Sequence, residues 1–304
     1  MHRYSILLGF AVLVLLKGLS FPAFEIGLAS FPVLMLAALR YDVAVVVLFG
    51  YVLATDTDLR PTTRGDVVAI LAGGVVSFTV ATALWSVGQE MTSATLSGLM
   101  ASLVPIMTAA FSWILLPEDR LTGVGIAGLG VGFLGALIIM LPSGGLQFGP
   151  GVTGKVLMFV GVAATALAGV LIRWARPTLP AASQTAWAML VGAVLLHLGS
   201  FTMGETLADV TPTVVGIAAV VFLGAVTSAV GRGLFYWLLG RRSAIEISLT
   251  SYAAPVIAAA TGWFLFGDEV SSGMVVGFVV VVLGFVLVKR QAVRTEFLRL
   301  GILG

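Results

Sequence analysis

Apolar residues run along this chain in ten long stretches separated by short polar turns. The stretches lie at roughly 5–26, 31–54, 67–88, 91–115, 121–141, 155–174, 183–203, 212–238, 243–266 and 272–288. A bilayer core about 30 Å thick needs roughly 20 apolar residues per helix. Each stretch therefore predicts one membrane-spanning α-helix, and the gaps leave no room for a soluble domain. The turns carry turn-forming residues, as in Leu141-Pro142-Ser143-Gly144-Gly145. Arg3 precedes the first stretch as it would in a signal peptide. No small-residue cleavage site follows, and apolar sequence continues past Lys17, so this stretch reads as a retained helix.

Composition sharpens the picture by exclusion. The 304 residues are 59% hydrophobic and 10% charged, against roughly 25% charge in an ordinary soluble domain. A soluble core, disorder, collagen and coiled coil are all ruled out. The chain has no Cys and only two His, His2 and His197, so thiolate chemistry and Cys- or His-rich metal sites lack their ligands. His-Glu-x-x-His and the Gly-x-x-x-x-Gly-Lys-Ser/Thr phosphate loop are absent, and no pair of catalytic aspartates stands out. No cofactor, metal or enzymatic activity is expected. A net charge of +2 gives no reason to expect a nucleic-acid partner.

The placement of charge says more than its sum. With the N-terminus inside, the inner segments hold Arg3, Arg60, Arg64, Arg120, Arg173, Arg176, Arg241, Arg242, Lys289, Arg290, Arg294 and Arg299. The outer loops hold only Lys155, and Lys17, Arg40 and Arg232 fall within spans. Excess Lys and Arg mark the cytoplasmic side, so both termini are expected there. Losing one span from the count would scramble the asymmetry.

An internal repeat is visible at an offset of 150. Residues 74–123 and 224–273 share 13 identities in 50, among them Gly74/Gly224, Ser93/Ser243, Pro105/Pro255 and Trp113/Trp263. The halves divide as a first five-helix repeat at 1–145, a second at 152–290, and a cytoplasmic basic tail at 291–304. Five is odd, so the halves insert with opposite orientation. Inverted repeats characterise secondary transporters, with the substrate site at the repeat interface near the midplane. The expected fold is all-α, ten transmembrane helices in two inverted five-helix repeats.

Particular motifs carry a family resemblance over nearly the whole chain. They are Ala38-Leu39-Arg40-Tyr41, Thr92-Ser93-Ala94 leading to Pro105, and Ser243-Ala244 leading to Pro255-Val256. Gly262-Trp263-Phe264-Leu265-Phe266-Gly267-Asp268-Glu269 and the Gly277 to Gly284 stretch complete them. With these the chain resembles the EamA-type members of the drug/metabolite transporter superfamily. The resemblance implies a carrier of small metabolites, often amino acids, usually moved outward. It also implies a central cavity between spans 1–4 and 6–9, with spans 5 and 10 at the periphery. Gly128, Gly132, Gly135, Gly277 and Gly284 fit close helix packing in that peripheral pair.

Ionisable residues at membrane depth are functional candidates by default. Lys17 and Arg40 flank the first outer turn at similar distances, with Asp42 close in depth. Together they suit a substrate carboxylate; alternatively Asp42 neutralises one base while the other snorkels. Arg232 and Glu246 lie at equal depth on either side of the turn near Leu239. They read as a gate or coupling pair, or as a structural ion pair. Pro105 and Pro255 sit within spans, where each removes a backbone donor and predicts a kink. Trp85, Gln89, Met100, Ser102, Tyr236, Ser248 and Tyr252 surround these helices as candidate substrate contacts, beside Ser86, Thr250 and Ser251. His197 has no charged neighbour at helical spacing and reads as an interhelical hydrogen-bonder or an outer-interface residue. In the tail, Val293, Phe297 and Leu300 form a stripe suited to an interfacial anchor, the alternative being a disordered tail.

The functional expectation is a secondary transporter of small, amino-acid-like metabolites in the cell membrane, with export favoured. The partners expected are a small-molecule substrate and the bilayer, the chain being a monomer or weak homodimer. A channel or facilitator for small polar solutes is the alternative. Channels generally oligomerise around rings of like residues, whereas a two-fold repeat within one chain favours alternating access.

Overall fold

The structure of the protein is a computed structural model that describes the backbone of residues 2–119, 121–141, 150–239, 241 and 244–290. The side chains of 2–4, 150, 239, 244–246 and 248 are outside that description, as is the tail from 291. The described chain is all helix in its regular parts. In order the spans are α1 (His2–Leu28), α2 (Val33–Ala54), α3 (Arg64–Glu90), α4 (Ala94–Leu115) and α5 (Gly123–Met140). The second half contains α6 (Pro150–Ala175), α7 (Ala181–Thr202), α8 (Val214–Leu238), α9 (Ala244–Phe266) and α10 (Ser272–Val288). Nine of these are long and apolar enough to cross a membrane, and α10 is a shorter apolar helix of 17 residues. At 1.5 Å per residue α10 still reaches about 26 Å.

Side-chain caps set five of the helix starts. Thr63 and Asp66 form a reciprocal capping box at α3, and Ser93, Thr122, Thr213 and Ser271 each accept a backbone N–H of the first turn they precede. Proline opens α2 and α7, at Pro32 and Pro180. Such caps satisfy amide groups that would otherwise meet the interface without partners.

Polar ties at each end of the bundle confirm the up-and-down order. At the end holding the start of α1 (the near end), Asp66 is fully buried and accepts the amides of Thr62, Thr63, Thr178 and Leu179 at 2.7–3.1 Å. Ser183 donates to the Asp58 carbonyl and the Trp187 indole to that of Leu59. Arg173 bonds Asp119 at 2.8 Å there, and the guanidinium holds that carboxyl below the usual carboxylate range. At the far end Glu205 takes the first amides of α2, Leu34 and Met35, at 2.9 and 2.8 Å. Asp268 accepts from the Thr95 amide, and Ser30 meets Thr213. Each tie joins segments that ten alternating spans place on the same side.

Asp66 had no special mark in the sequence, yet it holds four amides. Asp66→Ala should lower stability by about 3 kcal/mol or more, since each buried donor left unpaired costs roughly 1–3 kcal/mol. Thermal unfolding in detergent checks this: an unchanged midpoint would mean that water replaces the carboxylate freely.

The repeat has a structural counterpart at the same offset. A π-helical stretch spans Ala72–Ala81 within α3, and another spans Phe222–Val230 within α8. The hydroxyls of Thr79 and Thr82 reach the carbonyls of Gly74 and Ser77, five residues back. In the same stretches the repeat mates Gly74 and Gly224 allow equivalent close approaches. A Cβ on Gly74 would lie 2.7 Å from Val191 of α7, and one on Gly224 2.5 Å from Val43 of α2. Helices α3 on α7 and α8 on α2 are thus packed alike, as two inverted five-helix halves require.

Two large apolar cores fill the bundle, beside a small one of Ile6, Leu13, Leu238 and Ile247. One joins α1, α2, α3, α7 and α8 around Leu36, Leu196 and Leu223. The other joins α4, α5, α6, α9 and α10 around Met100, Ile106, Met158 and Phe285. Helices α5 and α10 pack through their glycines, with no room for a side chain between backbones: a Cβ on Gly135 would meet the Gly277 carbonyl at 2.7 Å. The two predicted kinks are unlike each other. The helical path of α4 is interrupted at Ser102–Leu103, just before Pro105 at the first turn of its second segment, whereas α9 runs through Pro255 as one helix. Proline at a first turn loses no hydrogen bond, which is why the break and Pro105 coincide.

Candidate functional site

Three helices of the first core each carry one cation toward a common cavity. Lys17 of α1, Arg40 of α2 and Arg232 of α8 line a space of about 260 Å³ near mid-depth. Lys17 donates to the Thr250 and Ser251 hydroxyls of α9 at 2.9 and 3.4 Å. Arg40 donates to the Tyr41 hydroxyl at 2.6 Å, which in turn meets Thr82 at 2.8 Å. Its guanidinium lies 4.6 Å from the Tyr41 ring centroid, and its buried Nε has no hydrogen-bond partner among the described residues. Arg232 sits 5.5 Å from the centre of the Phe78 ring. Ser20, Thr227 and Ser228 add hydroxyls to the wall. No carboxylate lines this cavity among the described residues.

Such a site is costly to keep. A cation at the centre of a span costs roughly 2.5–3.5 kcal/mol on insertion scales, and three like charges around one cavity add repulsion. Aromatic faces and hydroxyls repay part of this. Chemically the arrangement is an anion receptor: fixed positive charge, an idle guanidinium N–H, and hydroxyls that can orient a carboxylate.

A second, larger space of about 870 Å³ lies toward the near end, between α1, α2, α7 and α8. Its wall is mostly apolar, with Leu8, Val12, Leu48, Leu234 and Trp237 among its members. Tyr236 lines it too, its hydroxyl 3.1 Å from that of Thr185. Arg232 lines both spaces and so stands where they meet. At the far end the Glu205, Asp268 and Ser30 bonds already described are joined by those of Gln89 to α1.

Several sequence-predicted residues lie elsewhere. Asp42 is not the counter-charge of Lys17 or Arg40. It bonds His197 of α7 at 2.7 Å, with both side chains over 40% exposed on the outer flank of the bundle. Two residues apart on α2, Arg40 and Asp42 cannot share a face, and only Arg40 turns inward. Gln89 is buried and spent on α1, donating to the Phe21 carbonyl at 2.9 Å and to Glu25 at 3.3 Å. Met100 belongs to the second core, and Ser102 donates to its own helix at Leu99. Trp85 stacks on Phe21 and Tyr252 packs on Phe285, each with its polar atom unpartnered. None of these five lines either space. The side chains of Glu246 and Ser248 lie outside the described residues, and with them the pairing of Arg232 with Glu246.

Some wall residues carried no usable signal. Phe78, Thr227 and Ser228 are ordinary components of apolar spans, and nothing in their spacing separates cavity from packing. Glu25 was also missed, although it is an acid within a span, half-buried beside Gln89.

Relatives share this architecture. Residues 4–141 and 152–290 each match the model of the EamA-like transporter family. The uncharacterized inner membrane transporter YedA of Escherichia coli is 28% identical over 91% of this chain and 88% of its own length. The uncharacterized transporter YyaM of Bacillus subtilis is 27% identical over 93% and 92%. A probable terminal-alkyne amino-acid exporter of Streptantibioticus cattleyicolor is 25% identical over 90% and 89%. A crystal structure with a TM-score of 0.65 and 23% identity covers 96% of this chain and 99% of its own, which shows a common fold.

Proposed function

Because the chain belongs to the EamA-like transporter family, we propose that it is a secondary carrier of small carboxylate-bearing metabolites, amino acids among them. It moves them outward across the cell membrane by alternating access. The observation that carries this reading is the convergence of Lys17, Arg40 and Arg232 on one cavity without a lining acid among the described residues. A carboxylate gives these cations an acidic partner, which the described residues of the cavity do not supply. Small positively charged drugs are disfavoured at the same place by repulsion.

The route follows from the two spaces. Substrate enters at the near end, which we assign to the cytoplasm on the Lys and Arg distribution. It passes the apolar space and reaches the cations beyond Arg232, which acts as the inner gate. Rocking of one half against the other then closes the near end and releases the far-end ties. The amino-acid exporter among the relatives supports both the substrate class and the outward direction.

Counterflow in proteoliposomes tests the proposal. Liposomes preloaded with an unlabelled amino acid should accumulate the labelled one transiently, and the decarboxylated amine should not compete. Equal competition by the amine would overturn the carboxylate reading, and single-channel currents would replace the carrier by a channel. The orientation has its own check, which is clean because the chain has no native Cys. In right-side-out vesicles a membrane-impermeant maleimide should label Ala208→Cys and spare Thr62→Cys; the reverse pattern would invert the topology.

A further inference from the structure

The cation cavity is too small to be the whole binding site. About 260 Å³ lies below the 300–1,000 Å³ usual for ligand pockets, and suits a head group with a few atoms attached. The neighbouring space is more than three times larger, about 870 Å³. The hydroxyls of Thr185 and Tyr236 meet each other within its wall, and apart from Ser5, Tyr51 and Arg232 the rest of the lining is apolar or small. Arg232 belongs to both walls, so an anionic head beyond it continues directly into an apolar volume.

We propose that the preferred substrates are amphipathic organic acids, with the carboxylate among Lys17, Arg40 and Arg232 and an apolar tail in the larger space. This rests on the anion reading of the cavity and adds the second half of the ligand. One glycine gives the tail its room. Gly233 of α8 lines the larger space, and a Cβ there would touch nothing within 4 Å. Gly9 of α1 serves packing instead, since a Cβ there would lie 3.1–3.6 Å from Trp237, Leu238 and Leu234 of α8. A polar or branched, multiply charged solute would leave this surface unpaired and lose hydration for nothing. An acyl or aryl tail gains by burial at each carbon.

The test is a chain-length series on the full chain in phosphatidylcholine nanodiscs, read by thermal shift. Butanoate, hexanoate and octanoate are compared with octanol and octylamine, which partition into the bilayer but lack the anion. Affinity should rise about threefold to fourfold for each added methylene, the value for full burial, and the two controls should bind weakly. Gly233→Phe fills the space from α8 and should flatten the series. Val47→Trp fills it from α2 and should do the same, so poor folding of one variant leaves the other to decide. If affinity is independent of length while Arg40→Met still abolishes butanoate binding, the tail site is wrong and the anion site stands. A length dependence that survives both filled variants places the tail elsewhere and overturns the proposal. Stabilisation by phosphatidylglycerol but by no free acid makes the space a lipid site, which also overturns it. Binding of octylamine in preference to octanoate removes the anion reading itself.

Discussion

Arg40→Met should abolish transport while leaving the protein as stable as before, or more so. The guanidinium is held at mid-depth by one hydrogen bond to Tyr41, and its buried Nε has no partner among the described residues. Among the described residues no carboxylate faces Arg40, so removing its charge strands no acid there, and little stability is lost with it. Substrate is affected differently. Truncating one member of a desolvated charge pair costs about 2–5 kcal/mol of binding, which corresponds to roughly thirtyfold to a few thousandfold in affinity. Transport rate at low substrate and the thermal midpoint, measured on the same preparation, separate the possibilities. A lower midpoint with residual transport would mark Arg40 as a structural residue. Arg40→Lys keeps the charge and loses the planar fork, so it should fall between the two.

Gly284→Leu should unfold or split the bundle at its periphery. A Cβ at this position would lie 2.5 Å from the Gly132 amide nitrogen and 2.6 Å from its Cα. Both are backbone atoms of α5, so no side chain can move aside to make room. Helices α5 and α10 must then separate, although their backbones meet closely at Gly128, Gly135, Gly277 and Gly284. Association inside lipid depends on such packing because the bilayer supplies no hydrophobic drive between helices. Overpacking typically costs 1–3 kcal/mol where side chains can adjust, and a loss of about 3 kcal/mol is expected where they cannot. Gly130→Leu on the same helix is the control, since a Cβ there meets nothing within 4 Å. Equal thermal midpoints for the two variants would show that the glycine seam contributes nothing.

The spans, their number and the repeat were legible in the sequence because the bilayer imposes them locally. A helix must cross about 30 Å of hydrocarbon with its own backbone satisfied, and that demand writes itself into any 20 consecutive residues. The same locality made Gly128 to Gly284 readable as packing, since a missing side chain on a buried helix has few other uses. Lys17, Arg40 and Arg232 were also visible as exceptions, because charge in a span is expensive wherever it points. What each charge faces was decided only by tertiary structure. Asp42 is two residues from Arg40 in sequence, yet the turn of α2 sends it outward to His197, 155 residues away. Arg232 meets the cavity of Lys17 and Arg40 because α8 packs against α2 at Gly224. Gln89 and Ser102 have the chemistry of substrate contacts, and both are used up on backbone carbonyls instead. Hydrophobicity and helix period are properties of neighbours along the chain. Which polar groups converge depends on helix rotation and on which helices touch, and these are fixed by the fit of side chains from residues far apart in sequence.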